Sequence, residues 1–202
     1  MNQFKPDIGL YQTKHLLRAW LRPIPGIEKL SPNLISLLAL VPGLIAAECL
    51  FTGQWLGAIL GILARMILNT LDGLIAEEFK KTSHLGAYLN RVPGEFTDIL
   101  IAIGLVTPLN MPFFWFLVPL CGLVQVFGVL GLAAGAPGQS VGPCGQTDRL
   151  AIIALGSLAC MIWSPSEVWG LVVPLMIIGC LVTIGLRIYR TIKALRKLDQ
   201  IS

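Results

Sequence analysis

The chain is short of charge. Only 13% of its 202 residues are Asp, Glu, Lys or Arg, about half the quarter that an average soluble domain carries. Such a shortage argues against a water-soluble globular protein. Paired cysteines are also lacking: Cys49, Cys121, Cys144, Cys160 and Cys180 are scattered, with no CxxC spacing. Four of them lie in apolar runs, where packing is the expected role. No early apolar run leads to a small-residue cleavage site. The first 30 residues are polar and basic, so no cleaved signal peptide is expected. Alternation of apolar and polar residues is missing as well, which argues against a transmembrane β-barrel.

What the chain does have is long apolar runs. Hydrophobic residues make up 55% of it and the mean hydropathy is +0.76. A helix crosses a bilayer with about 20 apolar residues. Six such stretches are read: 33–51, 55–76, 88–109, 111–134, 149–164 and 168–188. The third and fifth are the least clean, because polar residues from Asn90 to Asp98, and Asp148 with Arg149, stand at their starts. The expected fold is an all-α integral membrane protein with six transmembrane helices. It divides into a cytoplasmic interfacial helix and linker (1–32), a transmembrane domain (33–188) and a basic cytoplasmic tail (189–202).

The basic residues set the orientation. Lys5, Lys14, Arg18, Arg22 and Lys29 precede the first run, and Lys80, Lys81 and Arg91 surround the second connection. Arg149 follows the fourth run, and Arg187, Arg190, Lys193, Arg196 and Lys197 follow the sixth. The connections near Phe51, Leu109 and Ser164 carry neither Lys nor Arg. This alternation predicts both termini in the cytoplasm. Before the first run, Leu10, Leu16, Leu17, Trp20 and Leu21 interleave with Lys14, Arg18 and Arg22 up to Pro23. That pattern reads either as a helix lying in the cytoplasmic headgroup layer or as a plain juxtamembrane tether.

Ionisable groups inside apolar helices are costly and mark function by default. Arg65, Asn69 and Asp72 are spaced i, i+4, i+7 and share one helical face, as do Asn90, Gly94 and Asp98. A short connection makes these two helices antiparallel neighbours, so Asn69, Asp72 and Asn90 can meet at similar depth. Oxygen-only donors of this kind suit Mg2+, Mn2+ or Ca2+ rather than zinc. Gly73 and Ala76 leave room beside Asp72. Asp98 reads either as a ligand or base, or as the ion-pair partner of Arg65.

The run Asn69-Thr-Leu-Asp72-Gly73-Leu-Ile-Ala76-Glu77, then eight residues, then Gly86, Asn90 and Gly94 resembles the signature of the CDP-alcohol phosphotransferases. That signature is D-x-x-D-G-x-x-A-R, eight residues, and G-x-x-x-D-x-x-x-D. "LSPNLISLLAL" is similar to the family's opening helix, and "GPCGQTDR" to a bacterial branch with G-P-x-G-K-x-D-R. The resemblance implies transfer of a phosphatidyl group from CDP-diacylglycerol to an alcohol, with CMP leaving. It implies metal ligands at Asn69, Asp72 and Asn90, CDP binding by Asp72, Gly73, Ala76 and Gly86, and an acceptor-phosphate role for Arg149. A homodimer in the bacterial inner membrane is implied too, with its active site facing the cytoplasm. Further expected partners are membrane lipids and a CDP-diacylglycerol-synthesising enzyme, with no nucleic acid.

The departures are Asn69, Asn90, Glu77 and Gly94, the last standing where the family has its base. Asp98 and Glu95 are the candidate replacements. Loss of the base also fits a non-catalytic family member that binds lipid or nucleotide beside another membrane enzyme. A small transporter or channel subunit would explain Arg65 and Asp98 but not the motif spacing.

Overall fold

Apolar chain in lipid has no water to satisfy its backbone, and helices meet that demand within one segment. The computed structural model describes Gly26 and residues 30–200. In chain order the helices are α1 (Pro32–Leu38), α2 (Leu40–Phe51), α3 (Trp55–Glu78), α4 (His84–Val106), α5 (Leu117–Val129), α6 (Gln146–Ala159) and α7 (Pro165–Asp199). Single 3-10 segments, Pro112–Phe116 and Leu130–Ala134, flank α5. There is no strand among the described residues. The interfacial helix expected before Pro23 lies outside them.

Local signals fix the ends. Pro32 and Pro165 open α1 and α7 at positions where a missing N–H costs nothing. The Ser83 hydroxyl caps α4 by accepting from the Gly86 N–H at 2.9 Å. Asp148 Oδ2 accepts from the Gly145 N–H at 3.1 Å and closes the start of α6. Gly135, with φ of 82°, stops the turn after α5. α4 begins at His84, so Pro93 lies in the helix interior, where its ring removes one ladder hydrogen bond.

Among the described residues, four helical stretches are long and apolar enough to cross a membrane: Pro32–Phe51, Trp55–Glu78, Pro112–Ala134 and Pro165–Asp199. The other two expected crossings are helices of different character. α4 has 23 residues but carries Arg91, Glu95 and Asp98. α6 has only 14 residues, about 21 Å at 1.5 Å per residue, against a hydrocarbon core of about 30 Å.

Packing is apolar outside and polar within. Leu60, Leu155 and Leu171 turn outward, while Arg65, Asp72, Asp98, Arg149 and Arg187 are each at most 5% exposed. Lipid is as apolar as leucine, so association in a bilayer rests on close contact and on polar groups satisfying one another. α2 packs chiefly against α3 and α4. A Cβ on Gly61 of α3 would lie 2.8 Å from the Pro42 carbonyl oxygen, and one on Gly104 of α4 would run into the Ala47 carbonyl. Glycine at these two positions lets three backbones touch, holding α3 and α4 in the register that joins their polar faces.

Candidate functional site

Asp72 lies near the end of α3, 1% exposed. The Ser36 hydroxyl on α1 donates to its Oδ2 at 2.5 Å, which ties the "SPNLIS" segment to the motif. The second half of the motif meets α1 nearby: a Cβ on Gly86 would stand 3.0 Å from Asn33 Oδ1. Glycine at Gly86 therefore lets the start of α4 close on α1. Gly73 and Ala76 are half-buried on α3.

A second polar centre surrounds Asp98. Arg65 Nη2 stands 2.6 Å from Asp98 Oδ1, and Arg149 Nη2 stands 3.0 Å from Oδ2. Arg65 further donates from Nε to Thr97 Oγ1 at 2.6 Å and from Nη2 to the Gly94 carbonyl at 2.7 Å. Arg149 donates from Nη1 to the Cys144 carbonyl at 3.1 Å. Both carboxylate oxygens of Asp98 thus face a guanidinium, and the three side chains bind α3, α4 and α6 together. Deleting one member of such a buried pair typically costs about 3–5 kcal/mol, because a charge is left uncompensated.

Between these centres opens a cavity of about 440 Å³. Its wall takes Asn69 from α3, Asn90 and Glu95 from α4, Gln125 from α5, Gln146 from α6 and Arg187 from α7. Asp72, Asp98 and Arg149 stand behind this wall rather than on it. Of the two α4 carboxylates proposed as base, Glu95 is the one that reaches the open space. Gly94 leaves its own position filled: a Cβ there would come 2.9 Å from Gln146 Nε2. The Arg149 guanidinium, expected to bind a phosphate, is taken up by Asp98 and a carbonyl.

The donors available to a cation are all oxygens. Asn69, Asn90 and Glu95 share the cavity, and Asp72 is three residues along α3 from Asn69, on the same side of the helix. Among the described residues no three His, Cys, Asp or Glu side chains cluster as metal ligands. In donor type, these two carboxamides and two carboxylates are the oxygens that Mg2+ or Mn2+ takes.

Ser36, Thr97, Gln125, Gln146 and Arg187 belong to this polar interior and were not singled out from the sequence. Gln125 carried a usable signal, being a lone amide in an apolar run. Arg187 was hidden by the basic tail that follows it. It donates from Nε to the Val141 carbonyl at 3.0 Å and from Nη1 to the Val124 carbonyl.

Fold and cavity together define an all-helical membrane protein built around a polar site. The chain belongs to the CDP-alcohol phosphatidyltransferase family, whose model matches residues 29–186. This is a family of membrane transferases of phospholipid biosynthesis. The chain is 30% identical over 169 residues to the inner membrane protein YnbA of Escherichia coli K12, covering 79% of this chain and 84% of YnbA. Its fold is that of Mycobacterium tuberculosis phosphatidylinositol phosphate synthase (PgsA1). The form with CDP-DAG bound matches with a TM-score of 0.70 at 18% identity, over 89% of this chain and 92% of that one. The form in complex with manganese and citrate matches with a TM-score of 0.69 at 19% identity, over 89% and 88%.

Proposed function

We propose that this protein transfers a phosphatidyl group from CDP-diacylglycerol to an alcohol and releases CMP. The observation that carries the reading is the cavity, which gathers Asn69, Asn90 and Glu95 on one wall. Family membership supports the reaction class. The solved PgsA1 structures with CDP-DAG and with manganese support the donor and the kind of metal.

In this reading Asp72, Gly73, Ala76 and Gly86 border the donor. Mg2+ or Mn2+, held by Asp72, Asn69, Asn90 and Glu95, would neutralise the pyrophosphate and stabilise the leaving CMP. The alcohol oxygen forms a bond to the β-phosphorus as the bond from that phosphorus to the CMP oxygen breaks. The hydroxyl proton passes to Glu95, which faces the cavity. Asp98 holds Arg65 and Arg149 and so keeps α3, α4 and α6 in place; it takes no proton. Arg149 is assigned this structural part in place of an acceptor-phosphate role. α4 and α6 are taken as crossings too, with their charged faces turned inward. That gives six crossings, both termini in the cytoplasm and the cavity open to the same side.

The test is incubation of the purified protein with radiolabelled CDP-diacylglycerol and a panel of alcohols, with and without Mn2+. CMP release that needs both alcohol and metal is expected. Binding of CDP-diacylglycerol without CMP release from any alcohol would instead make this a binding-only member of the family.

A further inference from the structure

We propose that the acceptor is an uncharged, hydroxyl-rich alcohol and that Gln146 is a residue selecting it. This rests on the transferase reading above and narrows its substrate class. Besides Asn69 and Asn90, which the reading above gives to the metal, the cavity wall carries three carboxamides, Gln125, Gln139 and Gln146. A carboxamide both donates and accepts, as a hydroxyl does, so neighbouring amides match neighbouring hydroxyls. A phosphate offers only acceptors and calls for cations.

Cations are not in surplus here. The ionisable groups on the wall are Glu95 and Asp148 against Arg91 and Arg187, two of each sign. Arg187 already spends Nε and Nη1 on the carbonyls of Val141 and Val124. Arg149 stands behind the wall with its charge committed to Asp98. Arg91 is exposed at the edge. With the metal taken up by the donor's pyrophosphate, a dianionic acceptor would meet a wall whose own charges already cancel. The volume of about 440 Å³ is within the usual range of small-molecule pockets, about 300–1,000 Å³.

Gln146 holds the central place. Its Nε2 lies 2.9 Å from where a Cβ on Gly94 would sit, on the wall shared with Glu95. An amide at that point orients a substrate hydroxyl toward Glu95 without adding charge. The "GPCGQTDR" stretch thus presents a neutral group where the similar bacterial motif has lysine.

The experiment compares glycerol and myo-inositol with glycerol 3-phosphate and inositol 1-phosphate in the CMP-release assay, for the native protein and for Gln146→Lys. For the native protein the uncharged acceptors should give a kcat/KM about tenfold or more above their phosphates, the discrimination expected when a site's polar groups fit only one of two ligands. Gln146→Lys should move that ratio toward the phosphates while the melting temperature stays unchanged. Release with the phosphates alone overturns the inference and leaves the transferase reading standing. Release with another alcohol of the panel but none of these four overturns the inference alone, and release with no alcohol at all overturns both. An unchanged ratio in a folded Gln146→Lys protein overturns the assignment of Gln146. If that variant fails to fold, Gln146→Ala takes its place and should lower kcat/KM for the uncharged acceptors alone.

Discussion

Glu95 and Asp98 differ by less than one helical turn and by everything around them. Asp98 is enclosed by two guanidinium groups, at 2.6 and 3.0 Å, whereas Glu95 borders the cavity. Exchange of each for its amide should therefore separate catalysis from stability. Glu95→Gln is expected to lower kcat by about 10²–10⁴-fold, the usual worth of a general base, with little change in melting temperature. Asp98→Asn is expected to cost about 3–5 kcal/mol of stability by stranding Arg65 and Arg149, seen as a lower melting temperature in detergent. A kcat loss in Asp98→Asn at full stability, with Glu95→Gln active, would reverse the two roles. In a double-mutant cycle, Arg65→Ala with Asp98→Ala should show a coupling of about 0.5–3 kcal/mol, whereas unconnected residues would simply add. The helical spacing of Arg65, Asn69 and Asp72 was enough to place these residues on one face. Spacing could not bring Arg149 to Asp98, since that pair joins residues 51 apart in sequence. Nor could it show that Gln146 occupies the space left by Gly94.

At the scale of elements, hydropathy found the apolar centre of each helix and missed the polar ends. α4 was expected from residue 88 and begins at His84, because its first turn is set by the Ser83 cap rather than by apolar residues. α7 continues past its apolar run to Asp199, a length of 35 residues. Between helices the deciding features are contacts of small residues, which no run of hydropathy reports. Gly104→Leu should wedge α4 away from α2 and destabilise the protein by about 1–3 kcal/mol, as overpacked sites do. Restoring an acid at the signature's last position is informative for the same reason. Gly94→Asp alone should lower stability and activity, since its Cβ would meet Gln146 Nε2 at 2.9 Å. Adding Gln146→Ala should restore stability, and thermal unfolding of the single and double variants in detergent reads this directly. Additive losses would mean that α4 and α6 do not exclude one another at this point.

At the scale of the whole molecule, the cavity itself bears on the number of crossings. Among the described residues, four stretches are long and apolar enough to span unaided. If they alone crossed, the α3–α4 connection and the segment following α5 would lie on opposite sides of the membrane. Yet one cavity is bordered by Asn69 and Asn90, near that connection, and by Gln139 to Asp148, in that segment. Both walls can face a common aqueous side only if α4 crosses as well; a crossing by α6 is then what would bring the basic end of α7 back to that side. Their polar residues do not forbid it: Asp98 pairs with both Arg65 and Arg149 in the interior, and a helix as short as α6 is tolerated where neighbours or local thinning cover its ends. α7, about 52 Å long at 1.5 Å per residue, exceeds a hydrocarbon core of about 30 Å. Its last turns, with Arg190, Lys193, Arg196 and Lys197, therefore reach beyond that core, and the six-crossing reading puts them on the side that basic residues prefer. Two positions decide between the counts. With six crossings, Asn110 faces away from the cytoplasm and Ser140 faces it; with four, both are reversed. In a cysteine-free background expressed in bacteria, Asn110→Cys should react in intact cells with a membrane-impermeant maleimide. Ser140→Cys should react only after the cells are broken. The opposite pattern would leave α4 on the membrane surface, divide the cavity walls between two compartments and overturn the six-crossing reading.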